Sequence, residues 1–347
     1  MQFAPVGFRK KAMRVLITGG AGFLGARLAR TLLARTTLGG RPVDKIVLLD
    51  QVAAPADLLA DSRVEARSEA LAAQASRLGG EGFDGVFHLA SAVSAECETD
   101  FDLGLRSNVD GTRALLDGFR TAAQAPRLVF SSSIAVYGPD PAVPLPAVVT
   151  EATLPLPQTS YGTHKLVCEH LIADYTRKGY VDGRAARLMT VTVRPGKPNG
   201  AASSFFSGII REPLAGQEAI CPVSADVSHP VASPARTVEG LIAVYEASRD
   251  AFNGRSALNL PGLNVTVREM LAALEEVAGK AARARVRFER DERIASIVAG
   301  WPAAARAPRA AALGLKADAS FADIVRQYIA DCERQPDAAQ ALRGLGR

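Results

Sequence analysis

A tyrosine and a lysine four positions apart, Tyr161 and Lys165, are the side chains of this 347-residue chain best suited to moving a proton. One helical turn apart, they share a helix face. The apolar Leu166, Val167, Leu171 and Ile172 carry the helical reading through Tyr175. A phenol titrates near about 10, too high for a base at neutral pH, and a neighbouring ammonium favours the phenolate. The pair can therefore act as a general base toward an alcohol, with Lys165 expected to lower the Tyr161 pKa. The same spacing also describes a solvated helix face with one aromatic on the core, so the other elements must decide.

Composition narrows the field. A content of 48% hydrophobic and 22% charged residues is that of a globular protein, with length for one large domain or two sharing a core. The first apolar stretch carries Arg27 and Arg30, so it is neither a leader core nor a membrane span, and a cytoplasmic location is expected. Cys97, Cys168, Cys221 and Cys332 are scattered and read as reduced thiols. His88, His164, His170 and His229 lack metal spacing, and no metal is expected. The net charge of +5 and pI near 9.1 come with no nucleic-acid motif, and Glu289, Asp291 and Glu292 interrupt the basic stretch 283–293. The charge implies at most a mild preference for small anions.

Along the chain, strands alternate with helices. Residues 14–18 form an apolar strand that runs into Gly19, Gly22 and Gly25, spaced Gly-x-x-Gly-x-x-Gly, and then Phe23, Leu24, Leu28, Leu32 and Leu33 recur at helical spacing. Strand, glycine turn and helix are the context of a dinucleotide fingerprint: a tight turn, close approach to pyrophosphate, and close helix packing. The helix N-terminus offers free N–H groups to phosphate. A second strand, 45–50, ends in Asp50, 25 residues past Gly25. An acid there bonds ribose hydroxyls and repels a 2′-phosphate, which favours NAD over NADP. Strands follow at 63–67, 85–90, 127–133, 188–194 and 257–260. Asn108 lies in a helix over 103–119, and the 127–133 strand ends in Ser131, Ser132 and Ser133. A proline-rich connection, 139–157, leads to Tyr161. Later helices are expected at 205–214, 237–248, 266–278 (with a Thr266–Glu269 cap) and 320–332, and a strand at 286–288. The alternation predicts an α/β fold with a doubly wound parallel sheet and ligands at the carboxyl ends of its strands. The glycine turn, Asp50, Ala90 to Ser94, the serine run and Pro195 all fall at such ends, which favours the chemical reading of Tyr161 and Lys165.

Thr18 to Gly25, Asp50, His88-Leu89-Ala90, Asn108-Val109-Asp110-Gly111-Thr112, Ser131-Ser132-Ser133 with Tyr137-Gly138, and Tyr161-x-x-x-Lys165 stand in one order over the first 194 residues. As a set they resemble the extended (epimerase-like) short-chain dehydrogenase/reductase family. That resemblance implies a Rossmann-type domain over 1–195, completed by 237–262, with a substrate lobe from 196–236 and 263–347. It implies Ser133, Tyr161 and Lys165 as catalytic residues, with Lys165 on the nicotinamide ribose, and a homodimer. NAD would lie against Gly19, Gly22, Phe23, Leu24, Gly25, Asp50, Leu89, Ala90, Ser91, Ser94, Asn108, Tyr161, Lys165 and Pro195. The segments 193–199, 202–214 and 232–234 resemble those members of the family that oxidise the C2 hydroxyl of a four-carbon sugar acid. Ser94, Ser133, Asn199, Ser203, Arg211 and Arg236 are the candidates for touching such a substrate, the two arginines as partners of its carboxylate. One departure is that Arg67-Ser68-Glu69 stands where relatives often place an Asp near adenine. A nucleotide-sugar epimerase or dehydratase on the same fold is the nearest alternative. A non-catalytic NAD sensor is disfavoured by the presence of both Tyr161 and Lys165.

Overall fold

The computed structural model describes residues 12–123, 125–196 and 201–345. Its strands are β1 (Met13–Thr18), β2 (Thr37–Leu38), β3 (Arg41–Asp50), β4 (Val64–Ser68), β5 (Gly85–His88), β6 (Arg127–Ser133), β7 (Asp182–Leu188), β8 (Thr190–Val191), β9 (Ala219–Cys221), β10 (Ser228–Ala232), β11 (Leu258–Asn259), β12 (Leu263–Thr266) and β13 (Val286–Phe288). The main sheet runs β4-β3-β1-β5-β6-β7-β11 with every pair parallel, and β2 folds back antiparallel on the start of β3. Both faces are covered, which is why its inner strands read as unbroken apolar runs. Val15, Ile17, Ile46, Leu48, Phe87 and Val129 pack on one side, and Leu16, Val47, Leu49, Val86, Leu128 and Phe130 on the other.

The helix Phe23–Arg35 follows the glycine turn, and the helix Ser160–Arg177 follows the long connection. The single helix expected over 103–119 is broken. A turn of α-helix, Phe101–Gly104, passes into a wide π-type turn, Leu105–Asp110, before the helix Gly111–Thr121. The wide turn carries the buried Asn108.

The sixth strand of the sheet differs from expectation. It is β7, Asp182–Leu188, not 188–194. Two arginines hide it in the sequence, yet both are satisfied inside the protein. Arg184 donates to the carbonyls of Val244, Tyr245 and Ala247 at 2.6, 3.1 and 2.5 Å, closing the end of the helix Pro234–Glu246. Arg187 forms a two-point pair with Glu169 at 2.8 and 2.7 Å. The chain then leaves this sheet. β8 joins a second sheet in the order β12-β10-β8, so Val191 and Val193 belong to the other lobe's side of the molecule.

That second lobe has its own core of Phe206, Ile209, Ile210, Leu214, Met270, Leu271, Leu274, Phe321, Ile324 and Val325. Its longer helices are Ser204–Leu214, Val267–Arg283 and Phe321–Glu333, the second with a reciprocal Thr266–Glu269 cap and a break at Gly279. The chain returns to complete the first domain: the helix Pro234–Glu246 packs beneath the sheet and β11 pairs with β7. Ala307, Ala310, Leu313 and Leu315, within the stretch assigned to the substrate lobe, also pack on the first domain.

Candidate active site

A cleft of about 1310 Å³ runs along the carboxyl ends of β1, β3, β5 and β6 and into the second lobe. Gly19, Gly22, Phe23, Leu24, Gly25 and Asp50 line one end. Gly19 has φ +70°, and a Cβ on Gly25 would stand 2.1 Å from the Gly19 carbonyl, so turn and helix can meet only without side chains. Gly22 caps the helix Phe23–Arg35 with no side chain bonded to its first N–H groups. Backbone donors and a positive helix end are what a pyrophosphate needs, so these residues fit a dinucleotide. One Asp50 carboxylate oxygen accepts from Ala21 N at 3.0 Å and the other from Gln51 N at 2.7 Å, which fixes the acid at the lip of the glycine turn. Glu69 also lines this end, while Arg67 turns away to Glu65 and Glu81.

The middle of the cleft is lined by Leu89, Ala90, Ser91 and Ser94. Asn108 sits beneath them, outside the lining. Its side-chain carbonyl accepts from Ala92 N at 2.7 Å and from the Ser91 hydroxyl at 3.0 Å, and its amide donates to Ala92 O at 3.2 Å. It therefore shapes the loop after β5. His88 is clamped between Thr18 and Thr112, at 2.7 and 2.8 Å, and burial drops it to about 3. His229 faces Thr190 at 2.7 Å and the Pro302 carbonyl at 3.0 Å. Since that carbonyl can only accept, Nδ1 carries the hydrogen, and burial holds the ring at about 4. Both rings stay neutral in the fold but take a proton in the unfolded chain below about 6.5. Stability is then full above that pH and falls as the pH drops toward 4. Between pH 7.5 and 5 the two rings together are expected to cost about 3–4 kcal/mol. Urea titrations at the two pH values check this, and an unchanged midpoint would contradict it.

Farther along the cleft, Tyr161, Ser133 and Lys165 come together. Thr159 caps the helix through Gly162 N, and a Cβ on Gly162 would stand 2.2 Å from the Ala135 carbonyl. This glycine lets the helix touch the end of β6 and brings Tyr161 to Ser133. The Ser133 hydroxyl accepts from Ala135 N at 3.1 Å and is close enough to the Tyr161 phenol to favour its ionised form. Lys165 is buried. Its Nζ donates to Ser131 O at 2.8 Å and lies 4.8 Å from the Phe130 ring centre and 5.4 Å from that of Tyr161. Burial pushes the Tyr161 phenol up to about 12, opposed by the Ser133 hydroxyl and the Arg194 charge. Beside Lys165, the structure places a second cation, Arg194, where its charge favours the Tyr161 phenolate. Lys165 itself turns to a backbone carbonyl, and burial brings its own pKa down to about 8.

The remaining candidates separate. Ser203 lines the cleft and bonds Arg194. Arg211 does not reach it: its guanidinium pairs with Glu212 at 2.6 Å and donates to Arg194 O at 2.8 Å. Arg236 is tied to Glu239 at 2.6 Å outside the cleft. Pro195 is exposed and also outside the lining, and Asn199 lies outside the described residues. Arg194, His229, Arg293 and Trp301 line the cleft without having been singled out. For Arg194 a signal existed, because it stands in the Val193-Arg194-Pro195-Gly196 segment. The others come from distant segments with no local mark.

The match to known proteins agrees with this geometry. Residues 15–231 match the NAD dependent epimerase/dehydratase family, and the chain belongs to that family. It is 49% identical to a D-erythronate dehydrogenase of Cupriavidus necator, over 92% of this chain and 98% of that one. It is 42% identical to a D-erythronate dehydrogenase of Haemophilus influenzae, over 91% and 99%. A crystal structure described as a nucleoside-diphosphate-sugar epimerase from Agrobacterium tumefaciens is 42% identical and superposes with a TM-score of 0.88, covering 95% of this chain and 97% of that one. Among the described residues, no helix is long and apolar enough to cross a membrane.

Proposed function

We propose that this chain is an NAD-dependent oxidoreductase acting on a secondary alcohol, with D-erythronate as substrate and 2-dehydro-D-erythronate as product. The observation that carries the chemistry is the meeting of Tyr161 with Ser133 at the end of β6, in a cleft continuous with the glycine turn and Asp50. Near full-length identity to two D-erythronate dehydrogenases supports the choice of alcohol. NAD, when bound along the glycine turn, supplies the hydride acceptor and adds positive charge near Tyr161. Asp50 would meet ribose hydroxyls and disfavour a 2′-phosphate.

Tyr161, as phenolate, takes the hydroxyl proton of the substrate. Ser133, held by Ala135 N, donates to the same oxygen as negative charge gathers there. Lys165, anchored on Ser131 O, keeps its remaining N–H groups for the ribose side of the cleft. Asn108 holds the loop after β5 in place.

The similarity to the structure described as an epimerase favours one other reading, internal oxidation and reduction of a nucleotide sugar. Incubation with NAD and a panel of four- to six-carbon aldonates separates the two. Net NADH is expected with D-erythronate. Conversion of a nucleotide sugar without net NADH, and no oxidation of any aldonate, would overturn the dehydrogenase reading.

A further inference from the structure

Arg194 stands in the cleft with its side chain fixed but its charge unanswered. Its backbone N–H donates to the Ser207 hydroxyl at 3.0 Å, and its carbonyl accepts from Arg211 at 2.8 Å. Its Nη2 donates to the Ser203 hydroxyl at 2.9 Å and the Ser203 carbonyl at 3.3 Å. Both of these partners are neutral. Among the described residues no carboxylate pairs with Arg194, and its Nε and Nη1 have no hydrogen-bond acceptor. The nearby Arg211 repels it, and that residue's own charge is already met by Glu212. A largely desolvated guanidinium without an anion is costly unless a ligand brings one.

We infer that the Arg194 guanidinium binds the substrate carboxylate and so selects 2-hydroxy acids over neutral polyols and hydroxyamides. The inference rests on the dehydrogenase reading above and supplies the carboxylate partner that Arg211 and Arg236 do not. The place of Arg194 beside Tyr161 bears on which hydroxyl reacts. Arg194 and Tyr161 line the same cleft and feel each other's charge, so a carboxylate on Arg194 and an alcohol at Tyr161 and Ser133 suit a short hydroxy acid whose two groups are close together. A planar fork also matches a carboxylate through two parallel N–H···O bonds. Ser203, which leaves two faces of that fork free, is the positioning residue.

The test compares D-erythronate with its neutral amide, both with saturating NAD. In Arg194→Gln the KM for the acid is expected to rise on the order of 100-fold. The KM for the amide should stay within about threefold and NADH binding, read by fluorescence, should not change, while kcat falls alike for acid and amide because the charge that favours the Tyr161 phenolate is also lost. Arg194→Lys should recover part of the loss. Ser203→Ala should raise the KM for the acid about fivefold with little change in kcat, as one neutral hydrogen bond is removed. If Arg194→Gln does not fold, the lysine variant and Ser203→Ala carry the comparison. An acid-over-amide preference that survives in every folded variant overturns the assignment and leaves the dehydrogenase reading standing. A wild-type protein that oxidises no aldonate removes both.

Discussion

Tyr161→Phe is expected to lower kcat for alcohol oxidation by about a thousandfold or more while NADH binding stays within about twofold. The substitution removes one oxygen and leaves the ring that lies 5.4 Å from Lys165 Nζ. The helix around it keeps its Thr159 cap and its close pass at Ala135. Nothing in the glycine turn or at Asp50 depends on that oxygen. What disappears is the phenolic oxygen beside Ser133, the group that accepts the proton. The wild-type rate should climb as pH rises, because burial holds the phenol high and only its ionised form can act as base. In the phenylalanine variant the residual rate should lose that climb. Single-turnover rates across a pH series, with NADH titrations beside them, check both parts. Activity near the wild-type level would remove Tyr161 from the chemistry.

Glu169→Ala should destabilise the fold by about 3–5 kcal/mol, because it strands a buried guanidinium. Glu169 receives both Nε and Nη2 of Arg187 and also the Ser132 hydroxyl at 2.5 Å. Arg187 in turn donates to the Tyr137 hydroxyl at 2.6 Å, which donates to Thr150 O at 2.8 Å. The network ties the helix of Tyr161 and Lys165 to β6, to β7 and to the connection between β6 and that helix. Removing the carboxylate alone leaves every other member unbalanced. Replacing both charges, as Glu169→Leu with Arg187→Met, should recover most of the loss, since an apolar pair of similar volume needs no partner. Equilibrium unfolding in urea measures the set. A single variant as stable as the wild type would show that the pair is not under desolvation strain.

The site was legible where chemistry is local. Gly19 to Gly25, Asp50, Ser133 and the Tyr161–Lys165 pair are short signals whose meaning depends on strand ends and one helix turn. The strand β7 was not legible, because Arg184 and Arg187 make it look like surface. Their partners, three carbonyls at a distant helix end and Glu169, exist only in the folded chain. The choice among arginines failed for the same reason. Arg194 stands in a marked segment, but nothing in the sequence ranks it above Arg211 and Arg236, and only packing shows that those two are already held by Glu212 and Glu239. Asn108 is marked by its motif, but the widening of the helix around it leaves no trace in the apolar pattern.

The closure of the sheet by β11, and the capping of the helix Pro234–Glu246 by Arg184, bear on how the chain is made. The first domain lacks an edge strand and a supporting helix until residues of the third hundred have left the ribosome. Arg184 would wait in its strand with Asp182 but without its three helix-end carbonyls, and the apolar underside of β1, β3 and β5 without Leu241, Ile242 and Tyr245. By then only the helix Ser204–Leu214 and the strands β8, β9 and β10 of the second lobe have emerged. The earliest strands are thus among the last to be sealed, by a helix and an edge strand made between the two halves of the second lobe.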